Sequence, residues 1–172
     1  AGAMTWMFYE WVKFGKPTAL GSVTGMVAGL GTITPASGFV GPAGALVIGI
    51  IAGAVCFNAV IMIKQKFKID DSLDVFPVHG VGGICGTILV GFFASKELGI
   101  FSGQGGWSHE AIVISDQLQI QLTAVVATAA YTALATFVIL KIVDVVTGLR
   151  VDSQTETQGL DLDSHGETGY NL

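Results

Sequence analysis

The chain has 172 residues, 51% hydrophobic and only 12% charged, with 24 glycines and a mean hydropathy of +0.67. An ordinary soluble domain, with about 7% glycine and about 25% charge, is excluded. The net charge of −5 lies wholly in the tail from Val151 to Leu172, which holds Asp152, Glu156, Asp161, Asp163 and Glu167 but no Lys or Arg; the balanced remainder argues against nucleic-acid binding, and the tail reads as a solvated cytosolic segment.

The opening Ala1-Gly2-Ala3-Met4-Thr5-Trp6 has neither an initiator methionine nor a basic flank, so it does not read as a signal peptide; residues 1 to 12 read as the end of an earlier span. No charge occurs from Pro17 to Ile63. As a single helix those 47 residues would reach about 70 Å, more than twice the hydrocarbon thickness, so the chain turns back once. Pro35 and Pro42, with Gly38 and Gly41 between them, mark the turn and predict helices near 18 to 36 and 43 to 63. A third helix is expected at 75 to 95 and a fourth at 112 to 147. The fourth, at about 52 Å, is too long for an upright span, so it tilts or projects beyond the lipid. This is an all-α, polytopic transmembrane bundle over 1 to 150, followed by an acidic tail over 151 to 172.

Basic residues collect on the cytoplasmic side of membrane spans. Lys13, Lys16, Lys64, Lys66, Lys68, Lys141 and Arg150 fall on one side of this layout and only Lys96 on the other. The tail is therefore expected to be cytoplasmic, and the Pro35 turn and the loop with Trp107 and His109 external. Cys56 and Cys85 lie in separate apolar runs, where a free thiol behaves as a small hydrophobe; neither a disulfide nor a metal pair is expected.

Three glycine sets repeat every four residues: Gly21, Gly25 and Gly29; Gly49 and Gly53; Gly82 and Gly86. Such small faces let helix backbones approach in lipid. His79 is an ionisable side chain inside the third span, and an intramembrane histidine is a functional-site hypothesis unless it merely bonds a neighbouring helix. Helical spacing puts Val75 on its face, with Gly83 and Gly86 further along, giving a narrow apolar wall with one hydrogen-bonding point. Asp70, Asp71 and Asp74 precede this helix, where capping of its N-terminus is favoured over direct cation binding.

Gly15-Lys16-Pro17-Thr18, Ile33-Thr34-Pro35-Ala36-Ser37-Gly38-Phe39-Val40, Asp70-Asp71-Ser72-Leu73-Asp74-Val75-Phe76-Pro77-Val78-His79-Gly80, and the tail pattern Gly148-Leu149-Arg150-Val151, Gly159-Leu160-Asp161, His165-Gly166-Glu167 and Tyr170 resemble the ammonium transporter family (Amt, Mep and Rh proteins), in its Amt branch. The resemblance covers the entire chain. It implies a homotrimeric membrane transporter, not an enzyme, without a cofactor, whose eleven helices include two inverted halves with a pore in each subunit. This chain looks like the second half without its first helix and most of its second, plus the eleventh helix and tail.

In the family two pore histidines, one from each half, share a hydrogen bond, and His79 matches the second. Thr24 aligns with a hydroxyl of the cytoplasmic vestibule and Val75 is a lumen neighbour, with Asp71 and Asp74 supporting the pore helix. Trp6, Trp11 and Trp107 are read as interfacial anchors rather than as the family's gate or outer cation site. The resemblance favours loss of a proton from ammonium at the outer mouth and passage of neutral ammonia past a neutral, buried His79.

Two other readings stand beside transport. The tail residues Gly159, Asp161, His165, Glu167 and Tyr170 form a regulatory surface, in the family for PII-type signalling proteins, and their alternate acids suit local side-chain to backbone bonding better than a metal site. The third reading is an inert fragment that lacks half of a pore wall and does not conduct.

Overall fold

The computed structural model describes residues 1–94 and 113–167, so Lys96, Trp107, His109 and Tyr170 lie outside the described residues. Every regular element among the described residues is helical. In order these are α1 (Gly2–Phe14), α2 (Ala19–Ile33), a 3-10 turn (Thr34–Ala36), α3 (Pro42–Ile61) running on as a π-helical turn (Met62–Lys66), a second π-helical turn (Phe76–Val81) leading into α4 (Gly82–Phe93), and α5 (Ile114–Val146). The tail carries α6 (Ser153–Gln158) and α7 (Leu160–His165). The chain divides into two compact units, Ala1–Val126 and Ala127–Leu172. That division falls inside α5.

Among the described residues, four helical segments are long and apolar enough to cross a membrane: Ala19–Ala36, Pro42–Lys66, Phe76–Phe93 and Ile114–Val146. Their limits follow from local chemistry. Thr18 opens α2 by accepting the Gly21 amide at 2.9 Å, and Pro42 opens α3 in its first turn, where an absent N–H costs nothing. The turn between them places Gly38 at φ 85°, which glycine adopts without a Cβ clash.

In the first unit α1 lies against α2 and α3, and α4 against α2. All three glycine sets are contact points. A methyl on Gly25 would strike Trp6 and one on Gly29 would sit 3.5 Å from Gly2, so the α2 set faces α1. Gly49 and Gly53 meet Ala1 and Thr5 on α1, and Gly86 lies directly on the backbone of Thr32. Gly86 therefore does not share the stripe of Val75 and His79 as expected. The π-helical turn holds more residues than an α-helical one and rotates everything beyond it relative to a 3.6-residue count.

Trp6 is also corrected: it is 4% exposed in a core with Ala28, Cys56, Phe57 and Val78, its ring edge-on to Phe57 at 5.3 Å, and is no interfacial anchor. Trp11 remains exposed. Lys13 closes this core at one end, 5.9 Å above the Phe57 ring. The deepest charged side chain there is Glu10, 8% exposed; its carboxylate accepts from the Thr18 amide at 2.7 Å and from the Thr18 hydroxyl at 3.0 Å, and it lies on Gly21. A buried carboxylate is thus matched by the donors and positive end of the next helix.

Gly86→Ala is expected to lower the unfolding free energy in mixed micelles by about 1–3 kcal/mol, because backbone rather than a flexible side chain must move. Gly29→Ala, whose methyl meets only ordinary contacts, should stay within about 0.5 kcal/mol of the parent. Equal losses at the two positions would contradict this packing.

Candidate functional site

His79 sits in the π-helical turn Phe76–Val81, held by two buried neighbours, Pro77 and Val78. Pro77 has no N–H to continue an α-helical ladder, and the wide turn accommodates it. The imidazole itself is exposed. The burial expected of it is not supplied by the described residues: Val75, one turn earlier, is 52% exposed, and a methyl on Gly83 would meet nothing within 4 Å. Beside it runs the bare backbone of Gly31 on α2: a methyl there would lie 3.9 Å from His79 Nδ1 and 3.8 Å from the Val78 carbonyl oxygen.

Thr24 is seven residues before Gly31 and so on the same side of α2, about 10 Å along it. Its hydroxyl donates to the Leu20 carbonyl at 3.0 Å. Val75 and His79 are both exposed, and Thr24 lies on the adjoining helix two turns from Gly31. A groove of about 490 Å³ lined by Tyr9, Ala54, Asn58, Met62 and Val81 belongs to the α1 and α3 side of the turn and does not include His79.

The acids before the turn have separate tasks. Asp71 caps it, accepting the Val75 amide at 2.9 Å and the Phe76 amide at 2.8 Å. Asp70 does not cap as expected; it takes the Ser72 hydroxyl at 3.3 Å. Asp74 accepts the Val78 amide through its carbonyl, while its enclosed Oδ1 has the Lys64 ammonium at 2.7 Å as partner and no further hydrogen bond among the described residues. Asp74 also stands at φ 56°, a left-handed conformation that Asp tolerates better than most residues. This link from the end of α3 to the start of the His79 turn is not apparent from sequence, where the charges stand ten positions apart.

In the second unit the tail is ordered by its own acids. Asp152 accepts the Gln154 and Thr155 amides at 2.9 and 3.0 Å, capping α6. Arg150 grips Glu156 through two bonds, Nε at 3.1 Å and Nη2 at 2.6 Å, a pairing absent from the sequence reading. The Thr155 amide and hydroxyl hold the Asp152 carboxyl below its ordinary range, and the Arg150 guanidinium does so for Glu156. Gly159 stands between α6 and α7 at φ 101°, and the Asp161 carbonyl accepts the Glu167 amide at 2.9 Å. His165 ends α7, and no cluster suited to a metal ion occurs among the described residues.

A family model, the Ammonium Transporter Family, matches residues 1–170. The chain belongs to that family. It is 44% identical over 99% of its length to an ammonium transporter of Bacillus subtilis, and 46% identical over 96% to the ammonium transporter Amt1 of Archaeoglobus fulgidus, spanning 41% and 40% of those proteins. Among solved structures, Mep2 of Saccharomyces cerevisiae superposes with a TM-score of 0.78 at 34% identity over 89% of this chain and 35% of that one. A sensor Amt protein gives 0.81 at 28% identity over 95% and 38%. The chain spans about two fifths of the length of the curated relatives it matches, and its family and apolar helices mark a multi-pass membrane protein.

Because both tail carboxyls are held low, the order they give is present above the ordinary carboxylate range and lost as pH falls through their lowered values. Amide exchange at Thr155, corrected for its intrinsic pH dependence, should therefore be slow at neutral pH and rise below about pH 4. Unchanged protection at pH 3 would contradict the capping role.

Proposed function

We propose that the full-length protein carries ammonium across the cell membrane by releasing a proton at its outer mouth and passing neutral ammonia through an apolar pore within each subunit. His79 hydrogen-bonds the travelling molecule, Val75 lines the same stripe, and Thr24 offers a hydroxyl towards the cytoplasmic end. The observation that carries this reading is a single imidazole on an otherwise apolar helix face, set against bare backbone at Gly31. Hydrated ammonium would lose most of its solvation on such a wall, whereas ammonia needs only one or two hydrogen-bonding partners. A companion half of the protein, bringing the second imidazole, closes the conduit; the 172 residues alone do not conduct.

The same reading makes the assembly a homotrimer and the tail cytoplasmic. Five bases, Lys13, Lys16, Lys64, Lys66 and Lys68, at the ends of α1 and α3 support that side of the first unit as cytoplasmic. The tail's capped and ion-paired structure favours a second, regulatory role as a docking surface for a PII-type protein, in which Gly159, Asp161, His165, Glu167 and Tyr170 take part.

In proteoliposomes of the full-length protein, His79→Ala should abolish ammonium flux or change its selectivity while trimers still assemble; unchanged flux and selectivity would remove His79 from the mechanism. In cells, deleting residues 151–172 should leave basal flux intact and abolish its response to nitrogen status. Loss of basal flux would instead assign the tail to the pore.

A further inference from the structure

Three elements meet at a buried polar point behind His79. Cys56 on α3 and Thr32 on α2 are fully buried, and Val78, in the turn, is 2% exposed. The Cys56 thiol donates to the Val78 carbonyl oxygen at 4.0 Å. Thr32 Oγ1 has no strict hydrogen-bond partner among the described residues, and the Cys56 thiol is its polar neighbour. Gly82 closes the point from the helix side, since a methyl there would come 2.9 Å from Thr32 Oγ1 and 3.3 Å from Cys56 Sγ.

The carbonyl of Val78 belongs to the peptide group that also contains the His79 nitrogen. Because that group is planar, holding its oxygen fixes the orientation of the bond into His79, and with it the direction in which the imidazole leaves the helix. A π-helical turn that contains a proline has a poorer internal hydrogen-bond ladder than an α-helix, so a donor from outside the turn has more to contribute there. We infer that Cys56 is a positioning residue for His79: its thiol, flanked by Thr32, grips the Val78 carbonyl and sets the angle at which the imidazole faces the pore. A role as packing alone would need only the volume of the side chain and no donor.

This inference rests on the reading of His79 as a pore residue, and one set of variants separates the two. Full-length protein is reconstituted, and the ratio of ammonium to methylammonium flux is measured per mole of folded trimer for the parent, Cys56→Val, Cys56→Ala and His79→Ala. Val keeps the volume of the side chain and Ala does not, but both lack the donor, so both should shift the ratio alike, by about two- to fivefold, at most the worth of one ordinary hydrogen bond because a thiol is a weak donor. In a His79→Ala background, Cys56→Val should shift it no further. If Val does not fold, Cys56→Ala in the parent and His79→Ala backgrounds decides. An unchanged ratio in the donor-free variants, or a shift in Ala but not in Val, overturns the inference while leaving His79 in the pore. An unchanged ratio in His79→Ala overturns both readings.

Discussion

Backbone contact at glycine is the constraint on which the first unit depends. Lipid tails are as apolar as leucine, so helices in a membrane gain nothing by hiding apolar surface from one another and associate through packing and polar links instead. Here α1 meets α2 through Gly2, Gly25 and Gly29, meets α3 through Gly49 and Gly53, and Gly86 sets α4 on the backbone of Thr32. Where no side chain intervenes, the distance between helices is fixed by atoms that cannot change rotamer. The wall beside His79 inherits that rigidity, because Gly31 lies one residue before Thr32 on the same helix.

Polar contacts then lock the ends of the helices rather than their middles. Glu10, near the end of α1, holds Thr18 just before α2, and Lys64, just beyond α3, holds Asp74 at the start of the His79 turn. Each enclosed charge is answered by a group on the next element, as it must be where an unanswered one would cost several kcal/mol, about 3–5 for a broken buried pair. Glycine thus sets how close the helices lie, and these links set where each one starts.

Length and charge made the spans legible: the gap from Pro17 to Ile63 exceeds one crossing, and its prolines mark the return. The four-residue spacing of glycines likewise identified faces that do make contacts, and Asp71 is the cap its position suggested. What escaped the sequence has separate physical causes. Periodicity assumes one pitch, and the π-helical turn at Phe76–Val81 breaks it, moving Gly86 from the His79 stripe to the packed side. Trp6 reads as interfacial by residue type, yet Phe57, some fifty positions away, gives it a core. The Glu10, Lys64 and Arg150 pairings reach six to ten positions across turns, a spacing that no helical period marks.

The exposed surfaces are not equivalent, and their polarity distinguishes what can cover them. No residue of α5 is buried, yet from Leu122 to Leu140 it carries no charge, and the hydroxyls of Thr123 and Thr132 turn back to the Gln119 and Thr128 carbonyls. Such a surface is compatible with lipid, because it carries no charge and these two hydroxyls are satisfied within the helix. The face with Val75 and His79 is different. Left in hydrocarbon, an imidazole without a partner would cost several kcal/mol, about 2–7 by the transfer of comparable polar groups, and nothing on its own helix answers it. The stable surroundings for that face are therefore polar or proteinaceous, and the bare backbone at Gly31 leaves room beside the ring for something small. A companion wall that encloses a narrow space against His79 meets both requirements; a lipid-facing placement meets neither.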